Sequence, residues 1–278
     1  MVGLIAFLLV ATCRASNANI VSFDQNYEII YGNDHIAFLN NQRTEIQLSF
    51  DQSSGSGFGS KESYGSGFFR MRMQIPDKDS SAIVTTFYVT SHTSNHDELD
   101  FEFLGNSTRP YTLQTNIYSN GIGEKEQRVL LWFDPTTDFH TYEILWNEKQ
   151  VVFFVDGIPI RVFKNNAEIG VSYPSQPMQT VGTIWMAEWA SNGKPPNWAD
   201  APFKAQYQGF NIDGCQAPGP TVQPCSSSNY WWNGEKYWKL DSNQQTAYEA
   251  VRRNNLIYDY CSDHKRYPQS PAECQSNQ

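Results

Sequence analysis

Short segments that alternate apolar and polar residues constrain the fold of this chain more than any other feature. Residues 45–50 and 69–73 alternate in this way, and the continuous apolar run 151–155 precedes Asp156-Gly157, a hairpin signal. Between residues 21 and 212 we find no internal repeat and no long helical period. Many short strands separated by turn signals predict an all-β sandwich.

The last quarter of the chain has a different composition. Residues 216–229 are rich in Pro, Ser and Gly and predict a linker, which is followed by an aromatic patch at residues 230–232. A short helix is predicted near residues 243–253, where Ser242 and Gln245 have the spacing of a capping box. We therefore expect an appendage on the sandwich.

The first 18 residues resemble a secretory signal peptide with cleavage after Ala18, because the apolar run from Leu4 to Ala11 is too short to span a bilayer. The alternative is a buried N-terminal segment. Removal of Arg14 with this peptide takes the net charge from −9 to −10. Such an acidic chain without a basic run is a poor candidate for nucleic-acid binding, and no other apolar run predicts a membrane span.

Four cysteines follow the predicted cleavage site, and an even number in an exported chain predicts two disulfides. Four cysteines allow three pairings, of which proximity favours the two between neighbours in sequence. Zinc binding is an alternative, although no CxxC spacing is present. Asn106 begins the N-glycosylation sequon Asn-Ser-Thr, which fits an exported protein. The four cysteines are Cys215, Cys225, Cys261 and Cys274.

The stretch HDELDFEFLGN at residues 96–106 places Glu98, Asp100 and Glu102 on one face of a predicted strand. Like charges so close together repel one another, and acidic residues are poor strand formers. Glycoside hydrolysis or transfer needs two carboxyl groups that flank one bond, with a third able to tune them. The alternatives are the wet face of an edge strand, or a calcium site, which a straight strand suits poorly.

This stretch closely resembles the active-site signature of the plant xyloglucan endotransglucosylase/hydrolases of glycoside hydrolase family 16. The resemblance continues through residues 131–135, 142–147, 154–161, 210–215 and 258–268. It implies a curved β-jelly-roll sandwich, with a signal peptide at 1–18, a catalytic jelly roll at 19–214 and a disulfide-stapled C-terminal extension with a helix at 215–278. It also implies the disulfides Cys215–Cys225 and Cys261–Cys274.

The resemblance implies Glu98 as nucleophile, Asp100 as assisting acid and Glu102 as general acid/base. We expect no cofactor or metal, because the carboxyl pair carries the chemistry, and a monomer secreted to the apoplast and plant cell wall. The expected donor is a wall polysaccharide, and the expected acceptor is a xyloglucan chain or oligosaccharide. The substrate-binding positions that the resemblance implies are Gln114, Thr115, Asn116, Glu124, Lys125, Glu126, Glu188, Trp189, Gly193 and Arg266. Trp185 is a further candidate, because its ring can stack on the apolar face of a sugar.

Departures from the family pattern leave the donor open. Tyr31 stands where the family usually has Trp, Gly59 replaces Glu or Gln, and Lys194 replaces a glycine. Transfer between xyloglucan chains is the predicted activity, and the alternatives are a mixed-linkage glucan or cellulose donor, a mainly hydrolytic xyloglucanase, or a wall-binding lectin. Trp132 and Trp146 lie in apolar runs and are predicted to be core residues.

Overall fold

The computed structural model describes residues 21–106 and 110–276, so the predicted signal peptide and the last two positions of the sequon lie outside the described residues. Within them, sixteen strands form two antiparallel sheets. The strands are β1 (Tyr27–Tyr31), β2 (Ile36–Phe38), β3 (Glu45–Phe50), β4 (Ser56–Ser60), β5 (Tyr64–Gln74), β6 (Ile83–Thr90), β7 (Glu98–Leu104), β8 (Thr112–Tyr118), β9 (Gln127–Leu130), β10 (His140–Trp146), β11 (Gln150–Val155), β12 (Ile158–Lys164), β13 (Gln179–Met186), β14 (Phe203–Gln208), β15 (Ile212–Gln216) and β16 (Leu256–Asp259).

The first sheet has the strand order β1-β4-β13-β6-β7-β8-β9-β16, and the second has the order β12-β11-β10-β5-β14-β3-β2, with β15 also paired to β5. The predicted all-β sandwich is thus confirmed. The hairpin predicted at Asp156-Gly157 joins β11 to β12, and both turn residues have positive φ, at 50° and 74°. That geometry matches the twist of the flanking strands.

The main core lies between the two sheets and is rich in aromatic side chains. Leu99, Phe101 and Phe103 point into it from β7, and Phe101 and Phe103 pack edge-on against Phe153 and Tyr142 of the second sheet, with ring centroids 5.1 and 4.8 Å apart. These apolar anchors hold the opposite face of β7 toward the outer surface of the first sheet.

The chain after residue 216 returns to both sheets. Strand β16 pairs with β9 at the edge of the first sheet. Helix α2 (Ser242–Asn254) packs on β12, and a second apolar cluster that includes Trp232 and Tyr248 covers part of the outer face of the second sheet. The four-residue helix α1 (Phe23–Asn26) precedes β1. Among the described residues no helix is long and apolar enough to cross a membrane.

Both predicted disulfides are present, with Cα atoms 5.5 Å apart for Cys215–Cys225 and 5.6 Å apart for Cys261–Cys274. The predicted helix is also present, but its predicted capping box is wrong by one residue. Asp241 is the N-cap, and its carboxylate accepts hydrogen bonds from the backbone N–H groups of Asn243 and Gln244, while the Gln244 side chain accepts the Asp241 N–H. Ser242 is therefore already inside the helix.

The two tryptophans predicted to be core residues differ. Trp146, on β10, is buried between the sheets as predicted. Trp132 is 42% exposed because it lies in a bend after β9 rather than in a strand, so the core prediction for Trp132 is wrong.

Candidate active site

Strand β7 presents Glu98, Asp100 and Glu102 to a cleft of about 480 Å³ on the outer face of the first sheet. The alternation of the strand produces this arrangement, because the intervening Leu99 and Phe101 are fully buried in the core. Successive residues on this face have Cα atoms about 6.6 Å apart from the strand rise. The sequence prediction that the three acids share one face is therefore confirmed.

Each acid lies between two partners on neighbouring strands. Glu102 pairs with Thr86 of β6 and Gln114 of β8, and Asp100 pairs with Tyr88 and Asn116. Glu98, at the start of β7, pairs with Thr90 and Tyr118. The interior position of β7 in its sheet also excludes the alternative that the acids are merely the wet face of an edge strand.

Asp100 is the most buried of the three acids, with 6% of its surface exposed. Burial raises its pKa well above the usual range, and the negative charges of Glu98 and Glu102 raise it further. A hydrogen bond to Glu98 also favours the protonated form of Asp100. The middle acid therefore holds a proton that it can donate in a hydrogen bond to the Glu98 carboxylate.

Burial also raises the pKa of Glu102, and the charges of Glu98 and Glu126 add to this effect. The Gln114 amide opposes it, because its Nε2 donates to Glu102 Oε2 at 2.6 Å. Gln114 is in turn held by Arg128, whose Nε donates to Gln114 Oε1 at 2.7 Å. Glu102 is thus an acid that retains a proton above the ordinary pH range of a glutamate while one of its oxygens is held in place.

Aromatic side chains form the walls of the cleft. Trp185 and Trp189 line it, with ring centroids 6.3 Å apart. Tyr118 lines it too, and burial, together with the nearby charges of the three acids, raises the pKa of Tyr118 to about 12. Such rings can stack on the apolar faces of sugars, while amides such as Gln114 and Asn116 can bond their hydroxyls. The cleft residues that sequence reasoning missed are Thr86, Tyr88, Tyr118, Arg128 and Thr183.

Of the predicted positions between β8 and β9, only Glu126 lines the cleft. Arg266 reaches it from the C-terminal extension, with Nη1 at 2.7 Å from Glu126 Oε2 and Nη2 at 3.5 Å from Glu124 Oε1. Glu124 is 65% exposed. Lys125 Nζ donates to the backbone carbonyls of its own loop. This group therefore forms the margin of the cleft on the side of the extension.

Three further predicted positions also lie away from the cleft walls. Thr115 faces the opposite side of β8, where its Oγ1 and its carbonyl accept hydrogen bonds from buried Arg161 at 3.0 and 2.8 Å. Its side chain is 2% exposed, so the prediction that Thr115 contacts sugar is wrong for this side chain. Glu188 and Gly193 lie in the turn after β13, where the Gly193 N–H donates to the Glu188 carbonyl at 2.8 Å.

Two half-buried glutamates on either side of a buried aspartate, in a cleft lined by aromatic rings, are the arrangement that glycoside hydrolysis requires. Comparison with known families agrees. The model described as glycosyl hydrolases family 16 matches residues 23–208, and the model described as the xyloglucan endo-transglycosylase (XET) C-terminus matches residues 226–274. The chain belongs to the xyloglucan endotransglucosylase/hydrolases of glycosyl hydrolase family 16.

Curated relatives match over nearly the whole chain. Xyloglucan endotransglucosylase/hydrolase protein 2 of Arabidopsis thaliana is 52% identical, with 100% of this chain and 97% of the relative covered. Putative xyloglucan endotransglucosylase/hydrolase protein 1 of the same plant is 51% identical, over 92% and 88%. Among solved structures, a prokaryotic β-1,3-1,4-glucanase (lichenase) from a mouse hindgut metagenome has 25% identity and a TM-score of 0.53, over 68% of this chain and 93% of that one.

Proposed function

We propose that this protein is a retaining endo-transglycosylase that cleaves the β-1,4-glucan backbone of xyloglucan and joins the fragment to another xyloglucan chain. The observation that carries the proposal is the ladder of Glu98, Asp100 and Glu102 in one aromatic cleft. The relatives that match nearly the whole chain are named for action on xyloglucan, which supports this substrate.

In the first step, Glu98 attacks the anomeric carbon of a backbone glucose. Glu102 donates its proton to the leaving glycosidic oxygen, so the bond between the two sugars breaks and a covalent glycosyl-enzyme forms. The raised pKa of Glu102 supports its role as the acid. Asp100 donates a hydrogen bond to Glu98 and so orients the attacking carboxylate.

In the second step, Glu102 removes a proton from the incoming hydroxyl, which attacks the anomeric carbon and releases Glu98. A sugar hydroxyl gives transfer and water gives hydrolysis, and both retain the anomeric configuration. We assign the acceptor side to the margin that Arg266 and Glu126 form with the C-terminal extension. Hydrogen-bonding side chains at this margin can hold the hydroxyls of an acceptor sugar next to Glu102, which would favour transfer.

The same proposal includes the organisation and location of the protein. We propose a signal peptide at residues 1–18, a catalytic unit at 19–214 and an extension at 215–278 that completes the acceptor side. We expect a secreted monomer that acts in the plant cell wall, carries a glycan on Asn106 and needs no cofactor, because the carboxyl pair supplies the chemistry.

A transfer assay on the secreted protein tests the proposal. It combines unlabelled xyloglucan with a fluorescent xyloglucan oligosaccharide and counts new reducing ends in parallel. We expect fluorescent polymer without a matching rise in reducing ends. New reducing ends without fluorescent polymer would make the enzyme a hydrolase, and mixed-linkage glucan or soluble cellulose as a better donor would overturn the choice of xyloglucan.

Two variants separate an enzyme from a wall-binding lectin. Glu98→Ala is expected to abolish transfer while polysaccharide binding remains, because only the nucleophile is lost. Asp77→Ala, which changes an exposed acid, is the matched control and should keep full activity. If Glu98→Ala retains every activity of the parent, transfer as well as binding, the catalytic assignment is refuted and the lectin is favoured.

A further inference from the structure

A groove crosses the outer face of the second sheet, on the side of the sandwich opposite the active site. It consists of two adjoining cavities of about 280 and 500 Å³, which share Glu143 and Gly157 in their walls. We call it the outer-sheet groove and define it by Phe68, Arg70, Arg72, Glu143 and Trp231. The proposed catalytic reaction uses none of these residues.

One end of the outer-sheet groove is an aromatic pocket. Trp231 is 42% exposed, and its ring lies 5.4 Å from that of Phe68 and 5.0 Å from that of Tyr237. These contacts hold the Trp231 ring in place while part of it stays open to solvent. An exposed aromatic ring held by its neighbours is a platform on which an apolar sugar face can stack.

Hydrogen-bonding groups surround this platform. Lys236 and Lys239 also line the pocket. Gln150 lines it too and is buried, with Nε2 donating to the Tyr237 carbonyl at 2.9 Å. Its Oε1 has no hydrogen-bond partner among the described residues. The pocket therefore combines an apolar platform with polar groups that suit sugar hydroxyls.

The other end of the groove is polar, and both of its arginines are held by neighbouring side chains. Arg70 Nη2 lies 2.5 Å from Asp213 Oδ2, and Arg72 Nη1 donates to Gln208 Oε1 at 2.7 Å. Burial raises the pKa of Glu143, which favours its neutral form. Phe68, Arg70 and Arg72 alternate along β5, so this row spans about 13 Å from the strand rise. An aromatic ring followed by hydrogen-bonding side chains over that length suits an extended polysaccharide chain, whose sugars present apolar faces and hydroxyls.

We propose that the outer-sheet groove is a second binding site for a neutral polysaccharide, a β-glucan chain that stacks on Trp231 and extends along β5. The choice of a β-glucan rests on the proposed function. Because the active site and this groove lie on opposite outer faces, a second glucan segment can be held there while the cleft acts. Such bivalent attachment increases retention on the polymer without any new contact in the cleft.

Affinity electrophoresis in gels that contain xyloglucan tests the proposal, with every variant made in the Glu98→Ala background so that no turnover occurs. Trp231→Ala should weaken polymer binding by about fivefold, as expected for the loss of one stacking platform. Trp238→Ala is the matched control, because Trp238 is also 42% exposed in the extension but lines neither cavity. It should bind as the parent does.

Two further measurements separate the groove from the cleft. Trp185→Ala in the same background removes a cleft platform and should leave residual binding, which Trp231→Ala should weaken by about a further fivefold. In the active protein, Trp231→Ala should leave the kinetics with short oligosaccharides unchanged. If Trp231→Ala fails to fold by circular dichroism, Lys236→Ala/Lys239→Ala replaces it, because both side chains are exposed.

The outcomes either support or overturn the second site. Weaker binding in Trp231→Ala, or in the lysine variant, with normal binding in Trp238→Ala supports it. Binding equal to that of the parent in Trp231→Ala, the lysine variant and Trp238→Ala overturns it. A loss of binding that is seen only in parallel gels containing polygalacturonate, an anionic polymer, also overturns it. Absence of transfer by the active protein would instead overturn the proposed function, and the binding measurements in the inactive background would still stand.

Discussion

Asp97 offers a sharp test of how the fold positions the nucleophile. It directly precedes Glu98 and is 1% exposed. Its Oδ1 accepts the Asn120 N–H at 2.7 Å, and its Oδ2 accepts the N–H groups of Ser175 and Gln176 at 2.6 and 2.9 Å. One carboxylate thus ties two loops to the start of β7. We predict that Asp97→Ala destabilises the protein and lowers transfer activity.

The size of the effect follows from the three hydrogen bonds. Each buried N–H that loses its acceptor costs about 1–3 kcal/mol. Water can enter between surface loops and replace part of the loss, so we expect the low end for each donor and about 3 kcal/mol in all. For a chain of this size that lowers Tm by about 6–12 °C.

Asp97→Asn gives a graded control. If the amide oxygen occupies the position of Oδ2, the bonds from Ser175 and Gln176 remain. The amide nitrogen then faces the Asn120 N–H, which loses its acceptor. The expected cost is about 1–2 kcal/mol, from one unpaired donor.

Urea unfolding followed by tryptophan fluorescence measures these losses, with Asp77→Ala as an exposed control that should change stability by less than about 0.5 kcal/mol. Transfer activity is measured well below each variant's Tm. We expect stability and transfer activity to be lowest in Asp97→Ala, intermediate in Asp97→Asn and highest in the parent. The reasoning is refuted if Asp97→Ala unfolds at the same urea concentration as Asp77→Ala.

Three further predictions concern charge and crosslinking. Gln114→Ala removes the hydrogen bond that favours ionised Glu102, so the pKa of Glu102 should rise and the alkaline limb of kcat/KM against pH should move to higher pH; no movement would contradict this. Asp100→Asn should raise Tm at pH 7, because the raised pKa of Asp100 disfavours folding once the pH exceeds the unfolded value of about 4, and the gain should vanish near pH 3. Cys261→Ser/Cys274→Ser opens a loop with a sequence separation of 13 and should cost about 2–4 kcal/mol in calorimetry, with the exposed-site variant Asp77→Ala as a control.

The parts of the site that follow from local alternation could be predicted from the sequence. The shared face of the three acids is one such part, because strand parity depends only on neighbours in the chain. The same parity argues against Thr115 as a cleft residue, since Gln114 and Asn116 already face the cleft and the residue between them must point away. The family resemblance implies sugar contact for all three residues, whereas strand alternation correctly predicts that the middle one faces away from the cleft.

Strand pairing could not be predicted in this way. Tyr88 and Tyr118 face the acids only because β6 and β8 flank β7, and the register between strands depends on contacts far apart in sequence. Trp132 shows a second limit, because an apolar run gave no sign of the bend that exposes it. The helix cap was missed because Asp241 and Ser242 are both good N-cap residues.

This fold does not allow the three acids to move apart and so reduce their repulsion. A slip of β7 by one residue would bury Glu98, Asp100 and Glu102 and expose Leu99 and Phe101. Both the burial of carboxyl groups and the exposure of apolar side chains would raise the free energy of the folded state. A sideways shift is also blocked, because β7 is paired on both edges. Protonation of Asp100, the most buried of the three acids, therefore reduces their mutual repulsion. The apolar face of the strand thus sets the protonation state of its acidic face, and the cleft gains a proton donor beside the Glu98 carboxylate.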